Sequence, residues 1–387
     1  MIRLGIEELV ASPLPLLKGK RLGLLCNQAS VDRNFRHSRD LIDQVFPGQL
    51  QCLFSPQHGF FAEKQDNMIE SGHDRDAKGR PVFSLYGDTR RPDAAMLDHL
   101  DVLIVDIVDV GTRVYTFMST LAYCLEEAAK LGKQVLVLDR PNPIGGAAME
   151  GNILADECRS FVGIERLPMR HGLTFAELAH FLNGESLHPA ELSVVPMPGW
   201  RREMHFPATG LPWVFPSPNM PTYASALVYP GQVIWEGTNI SEGRGTTLPF
   251  EVFGAPFLTH NDILARLQTT PLPGCVLRPV CFEPTSNKWV GAVCRGFQIH
   301  VTDPAAFLPY RTTLALLSAI MTCYPGEFAL KPPPYEYEYQ RSPLDLILGD
   351  VIIHRQLAEG RPVLELEAEW QPGLAEFVER RRPYLLY

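Results

Sequence analysis

Nowhere does the sequence hold about 18 consecutive apolar residues, the length a membrane-crossing helix needs. Its opening, Met1-Ile-Arg-Leu-Gly-Ile-Glu-Glu, is charged where a secretory leader needs an unbroken apolar core. Positive charge is sparse as well: the net charge is -9 and the longest basic run is Arg380-Arg-Arg382. The positive stripe that neutralises phosphates is missing, which excludes nucleic acid as an expected partner. The eight cysteines form no C-x-x-C pair and lie mostly in apolar runs such as Leu24-Leu-Cys26, so they read as buried free thiols of a cytoplasmic protein. The eleven histidines show no H-E-x-x-H or comparable ligand spacing, and no metal or other cofactor is expected. Neither a P-loop nor a G-x-S-x-G elbow occurs, which removes the usual markers of phosphoryl transfer and serine hydrolysis.

What is present is organised in two textures. At 387 residues the chain exceeds a typical single core. Its first part alternates short apolar runs with helical patterns, the signature of β-α-β units around a parallel sheet. Strands are expected at Arg21–Cys26, Leu50–Phe54, Val82–Leu85, Val102–Val105, Gln134–Leu138 and Leu192–Val195. A helix capped by Ser119 should run to Lys130, and Thr174-Phe-Ala-Glu177 is a capping box whose helix ends at Gly184. From about Tyr229 the pattern changes to Gly- and Pro-punctuated strands at Gly274–Phe282 and Ala292–Val301, with helices near Asn261–Gln268 and Tyr310–Thr322 and a closing helix at Pro372–Arg381. The Pro332-Pro-Pro334 run reads as an extended connector. The expected fold is α/β: a Rossmann-like parallel-sheet domain over residues 1–226 and a smaller α+β domain over 227–387, with a cleft between them.

In open parallel sheets, ligands bind beyond the carboxyl ends of the strands. Those ends carry Asn27-Gln28, Ser55-Pro-Gln-His-Gly59, Asp106-Ile-Val-Asp-Val-Gly-Thr-Arg113 and Asp139-Arg-Pro-Asn142. Amides, carboxylates, guanidinium and imidazole at successive ends suit a sugar or a similarly hydroxylated substrate. A dinucleotide does not fit, because Asn27-Gln-Ala-Ser-Val-Asp-Arg-Asn34 has no glycine to cradle a pyrophosphate. His58 and His171 each precede a glycine and read as hydrogen-bonding site residues. Arg113, Arg140, Arg170 and Arg244 all fall in candidate site loops. A guanidinium fork reads a carboxylate through two parallel hydrogen bonds, which favours a carboxylate-bearing substrate. At least two of the four are expected only to pair with local acids.

A second polar stretch, Glu236-Gly-Thr-Asn-Ile-Ser-Glu-Gly-Arg-Gly-Thr-Thr247, combines two carboxylates, an amide, an arginine and hydroxyls with Gly237, Gly243 and Gly245. Glycines there are expected to supply positive φ and close approach to a ligand.

These motifs, together with Met169-Arg-His-Gly-Leu-Thr174, Trp213-Val-Phe-Pro-Ser-Pro-Asn-Met-Pro221, Phe282-Glu-Pro-Thr-Ser-Asn-Lys288 and Tyr384-Leu-Leu-Tyr387, resemble the exo-β-N-acetylmuramidases of the NamZ type. The likeness covers essentially the whole chain. It implies a glycosidase that removes N-acetylmuramic acid from the non-reducing end of peptidoglycan fragments, whether a muropeptide or the disaccharide with N-acetylglucosamine. The lactyl carboxylate of that sugar agrees with the arginine count. One departure stands out: where the family commonly has a glutamate before His-Gly, this chain has Gln57, whose amide cannot exchange a proton at neutral pH.

Glycoside cleavage normally uses two carboxyl groups, or one that orients the substrate's own acetamide. The catalytic candidates are Glu242 paired with Asp109 or Glu63, with Glu236 in reserve. The substrate-binding candidates are Asn27, Gln57, His58, Arg113, Tyr115, Arg140, Asn142, Arg170, His171, Asn219, Asn239 and Arg244. Competing expectations are a non-catalytic amino-sugar or muropeptide binder, for which Gln57 would mark lost chemistry, and an NAD-dependent oxidoreductase resting on fold analogy alone.

Overall fold

A computed structural model describes residues 2–387. The first part forms a seven-stranded sheet from β1 (Leu22–Cys26), β2 (Leu50–Ser55), β3 (Asp74–Arg75), β4 (Pro81–Ser84), β5 (Val102–Asp106), β6 (Gln134–Leu138) and β7 (Glu191–Val195), in the order β3-β4-β2-β1-β5-β6-β7. All neighbours are parallel except the short β3, which is antiparallel to β4 at the edge. Each of the six strands expected here is present to within one residue at either end.

The central strands are continuous apolar runs because both faces of the sheet are covered. Side chains alternate along them. Leu24, Ile104 and Leu136 join a core with Ile6, Leu9, Leu41 and Ile42 from the helices Gly5–Ala11 and Ser38–Val45. Leu103, Val105, Val135 and Val137 face the other way, toward Met118, Leu121, Leu178 and Phe181. Those residues belong to the helices Phe117–Lys130 and Phe175–Gly184. The Thr174–Glu177 capping box is formed as expected. The preceding helix starts earlier than expected, at Phe117, and Ser119 is not its cap: inside the first turn, its hydroxyl donates to the Phe161 carbonyl at 2.7 Å.

The second part contains a three-stranded antiparallel sheet, β8 (Val252–Ala255), β9 (Cys275–Phe282) and β10 (Cys294–Val301), in the order β8-β10-β9. Helix His260–Leu267 packs on β10, helix Pro309–Cys323 packs on His260–Leu267, and helix Val363–Arg381 packs on Pro309–Cys323. The last begins nine residues before the expected Pro372, because buried Val363 and Leu366 anchor its first turns and the helix continues through the proline. The second core is continuous with the one on the Phe117–Lys130 side of the parallel sheet, so the two parts meet over packed side chains.

Strand order reverses between β1 and β5, the crevice where such sheets receive a dinucleotide. Here the protein's own groups fill it. The Arg140 guanidinium grips the Asp106 carboxylate, Ser38 donates to the same carboxylate, and Ser30 donates to the Asp106 carbonyl.

Candidate active site

One hollow is lined from both parts of the molecule. The space between its walls is about 440 Å³ with open solvent counted, and its cavity volume is about 30 Å³. Gln57 and His58 enter from the turn after β2, Tyr115 and Thr116 from the segment after β5, and Ser217 and Asn219 from the loop after β7. Tyr229, Glu236, Arg244, Phe250, Tyr335 and Glu336 close it from the second part. The strand-end loops and the glycine-bearing acidic segment therefore share a single cavity.

Glu236 sits at the start of that segment, on the 3-10 turn Val233–Gly237. Its carboxylate accepts from Arg244 Nη2 at 2.7 Å, from the Tyr335 hydroxyl at 2.6 Å and from Asn67 Nδ2 at 3.0 Å. Burial alone would raise its pKa, but the Arg244 charge and these donors hold the carboxyl below its ordinary value. Glu236 is thus ionised at neutral pH. Arg244 also reaches Glu242 at 3.2 Å, and Glu242 accepts from the partly buried Lys288 at 2.7 Å. Lys288, Glu242, Arg244 and Glu236 form a chain of alternating charge with Glu236 at the cavity end.

The glycines serve this loop in different ways. Gly243 and Gly245 take φ values of 79° and 76°, which a residue with a Cβ adopts only under strain. Gly237 does not have positive φ; a Cβ there would meet Leu344 Cα at 2.6 Å. Around Gly245 the close neighbour is Ser286 backbone at 2.5 Å. The close approach expected toward a ligand is made to the protein's own chain instead.

The second carboxyl in the cavity is Glu336. Its Oε1 accepts from Gln57 Nε2 at 2.9 Å, and its Oε2 accepts from the Tyr86 hydroxyl at 2.6 Å. Gln57 is oriented by Thr116, whose hydroxyl donates to Gln57 Oε1. Burial pushes the Glu336 carboxyl up to about 7, and the nearby Glu236 charge adds to that rise against the lowering effect of the Tyr86 and Gln57 donors. One cavity thus holds an ionised carboxylate and a carboxyl that keeps its proton to near neutrality. Such a split suits one group to electrostatic or nucleophilic work and the other to proton donation. His58 lines the same hollow, with its Nδ1 2.7 Å from the Lys64 carbonyl, and burial pushes it down to about 4, so its ring is neutral.

Other expected site residues lie elsewhere. Glu63 faces a separate surface pocket with Phe60, Phe61, Lys64, His73 and Arg75. Asp109 is buried off the cavity, accepting from the Gly111 N–H at 2.6 Å, with His171 Nε2 at 3.6 Å. Arg113 spends its guanidinium on the carbonyls of Asn152, Leu167, Ile347 and Leu348. Arg170 donates to the Ile144 carbonyl, and Arg140 is taken by Asp106. All four arginines proposed to meet a substrate are held by the protein's own groups, Arg244 by Glu236, Glu242 and the Gln65 carbonyl, but of the four Arg244 alone lines the cavity.

The amides divide likewise. Asn27 holds the Pro216 carbonyl at 2.9 Å, Asn142 the Leu173 carbonyl at 2.9 Å and Asn239 the Glu327 carbonyl at 2.8 Å. Asn219 lines the hollow and donates to the Gln65 carbonyl at 2.7 Å. Among the described residues, no cluster of three or more His, Cys, Asp or Glu side chains is arranged to hold a metal ion.

Comparison with known proteins matches this arrangement over its full length. The family profile described as Exo-beta-N-acetylmuramidase NamZ, N-terminal, matches residues 22–224, and the corresponding C-terminal profile matches 227–387. This chain belongs to the NamZ exo-β-N-acetylmuramidase family. It is 40% identical over 386 residues to the peptidoglycan beta-N-acetylmuramidase NamZ of Bacillus subtilis (strain 168), covering 100% of this chain and 91% of that protein. Two crystal structures of DUF1343 family proteins from Bacteroides fragilis NCTC 9343 have the same fold. One has a TM-score of 0.89 at 32% identity, and the other 0.78 at 27%; each match covers 100% of this chain and 99% of the other.

Within this NamZ-family fold, the cavity residues that sequence reasoning passed over include Glu336, Tyr335, Asn67, Thr116, Ser217, Tyr229 and Phe250. A signal for the first two was present in Tyr335-Glu-Tyr-Glu-Tyr339, directly after the proline run. Glu336 and Tyr337 adopt φ of 47° and 65°, a left-handed turn that aims the Glu336 carboxyl inward. Strained backbone of this kind concentrates at functional sites.

Proposed function

We propose that this chain hydrolyses the β-glycosidic bond of a non-reducing-terminal N-acetylmuramic acid in peptidoglycan fragments, with units 1–226 and 227–387 supplying opposite walls of the site. The observation that carries this reading is the shared hollow, where the ionised Glu236 meets amide, hydroxyl and aromatic groups from the strand-end loops. The substrate would be a MurNAc-GlcNAc disaccharide or a muropeptide, handled in the cytoplasm. The eight unpaired thiols suit that reducing compartment.

Glu236 takes the role of ionised carboxylate for which the sequence put Glu242 first. Its place in the hollow and its three donors support this, whereas Glu242 is turned toward Lys288 and steadies Arg244. Tyr115, His58 and Asn219 line the hollow and would meet sugar hydroxyls or the acetamide, whereas the Gln57 amide is taken by Thr116 and Glu336. The lactyl carboxylate falls to Arg244, the one arginine in the hollow.

A non-catalytic binder rested on Gln57 having replaced an acid. A carboxyl lies 2.9 Å from that amide, so the cavity keeps two. Incubation with MurNAc-β-1,4-GlcNAc and mass analysis of the products tests the activity: free MurNAc and GlcNAc are expected, and an intact disaccharide bound without turnover would favour the binder.

A further inference from the structure

We propose that Glu336 is the acid that protonates the leaving glycosidic oxygen, and that the Gln57 amide is the positioning group that holds it at the cavity wall; this rests on the glycosidase reading above. Three observations converge on it. Glu336 lines the same hollow as Glu236 but comes from a different loop, so both carboxyls address one ligand. The Gln57 amide is fixed at both ends, receiving the Thr116 hydroxyl on its oxygen and giving its N–H to Glu336 Oε1 at 2.9 Å. The chain at Glu336 is held at φ 47°, a cost that a merely space-filling side chain would not need.

The groups that face Glu336 set when it carries a proton. Burial and the Glu236 charge favour the neutral form, while Tyr86, Gln57 and Arg244 favour the anion, leaving it poised near 7. Tyr229, Tyr335 and Tyr337 are also close, and Glu336 helps raise the pKa of each, so they remain neutral. In the chemical step the Glu336 proton passes to the glycosidic oxygen as the C1–O bond breaks. The bonding pair leaves with that oxygen, and the departing sugar is released as its hydroxyl form. Glu236, kept ionised by Arg244, faces the positive charge that develops at C1. Over the cycle one water is consumed: its hydroxyl ends on C1 of the muramic acid and its proton restores Glu336.

A general acid matters in proportion to how poor the leaving group is. The test compares Glu336→Gln with wild type on MurNAc-GlcNAc, whose leaving alkoxide needs a proton, and on the 4-nitrophenyl β-glycoside of MurNAc, whose phenolate does not. The expected result is a loss of about 10²–10⁴-fold in kcat on the disaccharide with the aryl glycoside retained within about tenfold. Equal losses on both substrates, or no loss on either, would overturn the assignment. Wild-type enzyme that cleaves neither glycoside would instead overturn the glycosidase reading itself.

Should Glu336→Gln fail to fold, Tyr86→Phe is the second variant. It removes a donor that favours the Glu336 anion, so the descending limb of the pH–kcat profile should move to higher pH. An unmoved limb in a folded Tyr86→Phe protein would reject Glu336 as the titrating acid.

Discussion

Gln57 and Glu336 lie 279 positions apart in the chain and meet side chain to side chain at 2.9 Å, joining the turn after β2 to the loop that closes the opposite wall. The amide is not idle in that place. It donates to a carboxyl that keeps its proton to near neutrality, while a fully ionised carboxylate, Glu236, lines the same hollow.

Replacing Gln57 by Leu should therefore raise the proton affinity of Glu336, because an N–H that favours the anion is lost. The descending limb of the pH–rate profile is expected to move above about 7. Stability should fall by about 1–3 kcal/mol, since buried polar groups of Glu336 and Thr116 lose a partner. Chemical denaturation and a pH profile of the same variant check both effects, and an unchanged limb would contradict the link.

Glu236→Gln and Glu242→Gln should separate activity from stability. The first removes the ionised group from the hollow, and a loss of at least about 100-fold in kcat, roughly 2.7 kcal/mol of barrier, is expected. The second leaves the partly buried Lys288 without its carboxylate and is expected to cost about 3 kcal/mol in unfolding free energy. Glu236→Gln activity within tenfold of wild type would exclude Glu236 from the chemistry.

The sequence made the parallel sheet legible because its strands are buried on both faces. Runs such as Val102–Asp106 stand out without alternation, and turn and cap signals such as Thr174–Glu177 mark their neighbours. The site was harder to read. Residues after strand ends are polar for two reasons that look alike in a sequence: Asn219 and His58 reach the hollow, while Asn27, Asn142 and Arg140 satisfy buried backbone or a local acid. Glu336 stands in the acidic and aromatic run Tyr335-Glu-Tyr-Glu-Tyr339, but nothing in that run says which of its side chains turns inward. Its place depends on a left-handed turn formed by non-glycine residues, which local propensity argues against.

Arg113 provides a test of that distinction. Its buried guanidinium serves four backbone carbonyls, and burial pushes its pKa down to about 10. Arg113→Met should lower stability by at least about 3 kcal/mol, with several buried acceptors left unpaired. The ratio of kcat/KM for muramic acid and N-acetylglucosamine glycosides should stay as in wild type. A collapsed ratio in a stably folded variant would return Arg113 to substrate recognition.

Glu150 offers a pH signature away from the cavity. Burial pushes it up to about 7 from the ordinary 4.5, so the folded chain holds a proton that the unfolded chain has released between those values. The stabilising contribution is complete below about 4.5 and falls by about 1.4 kcal/mol per pH unit up to about 7. Glu150→Gln lacks this titration. Across pH 5 to 7 (roughly the window of that shift) the unfolding free energy of wild type should drop relative to the variant by that slope, and a pH-independent difference would contradict it.

The most direct measurement is a crystal structure of the Glu336→Gln protein with MurNAc-β-1,4-GlcNAc bound. The predicted result places the muramic acid between Tyr115, Thr116 and Asn219 on one side and Glu236 and Arg244 on the other. Residue 336 should lie within about 3–3.5 Å of the glycosidic oxygen. A disaccharide seated instead in the surface pocket beside Glu63, Phe61 and Arg75, with the hollow empty, would contradict the assignment of the active site to the junction of the two parts.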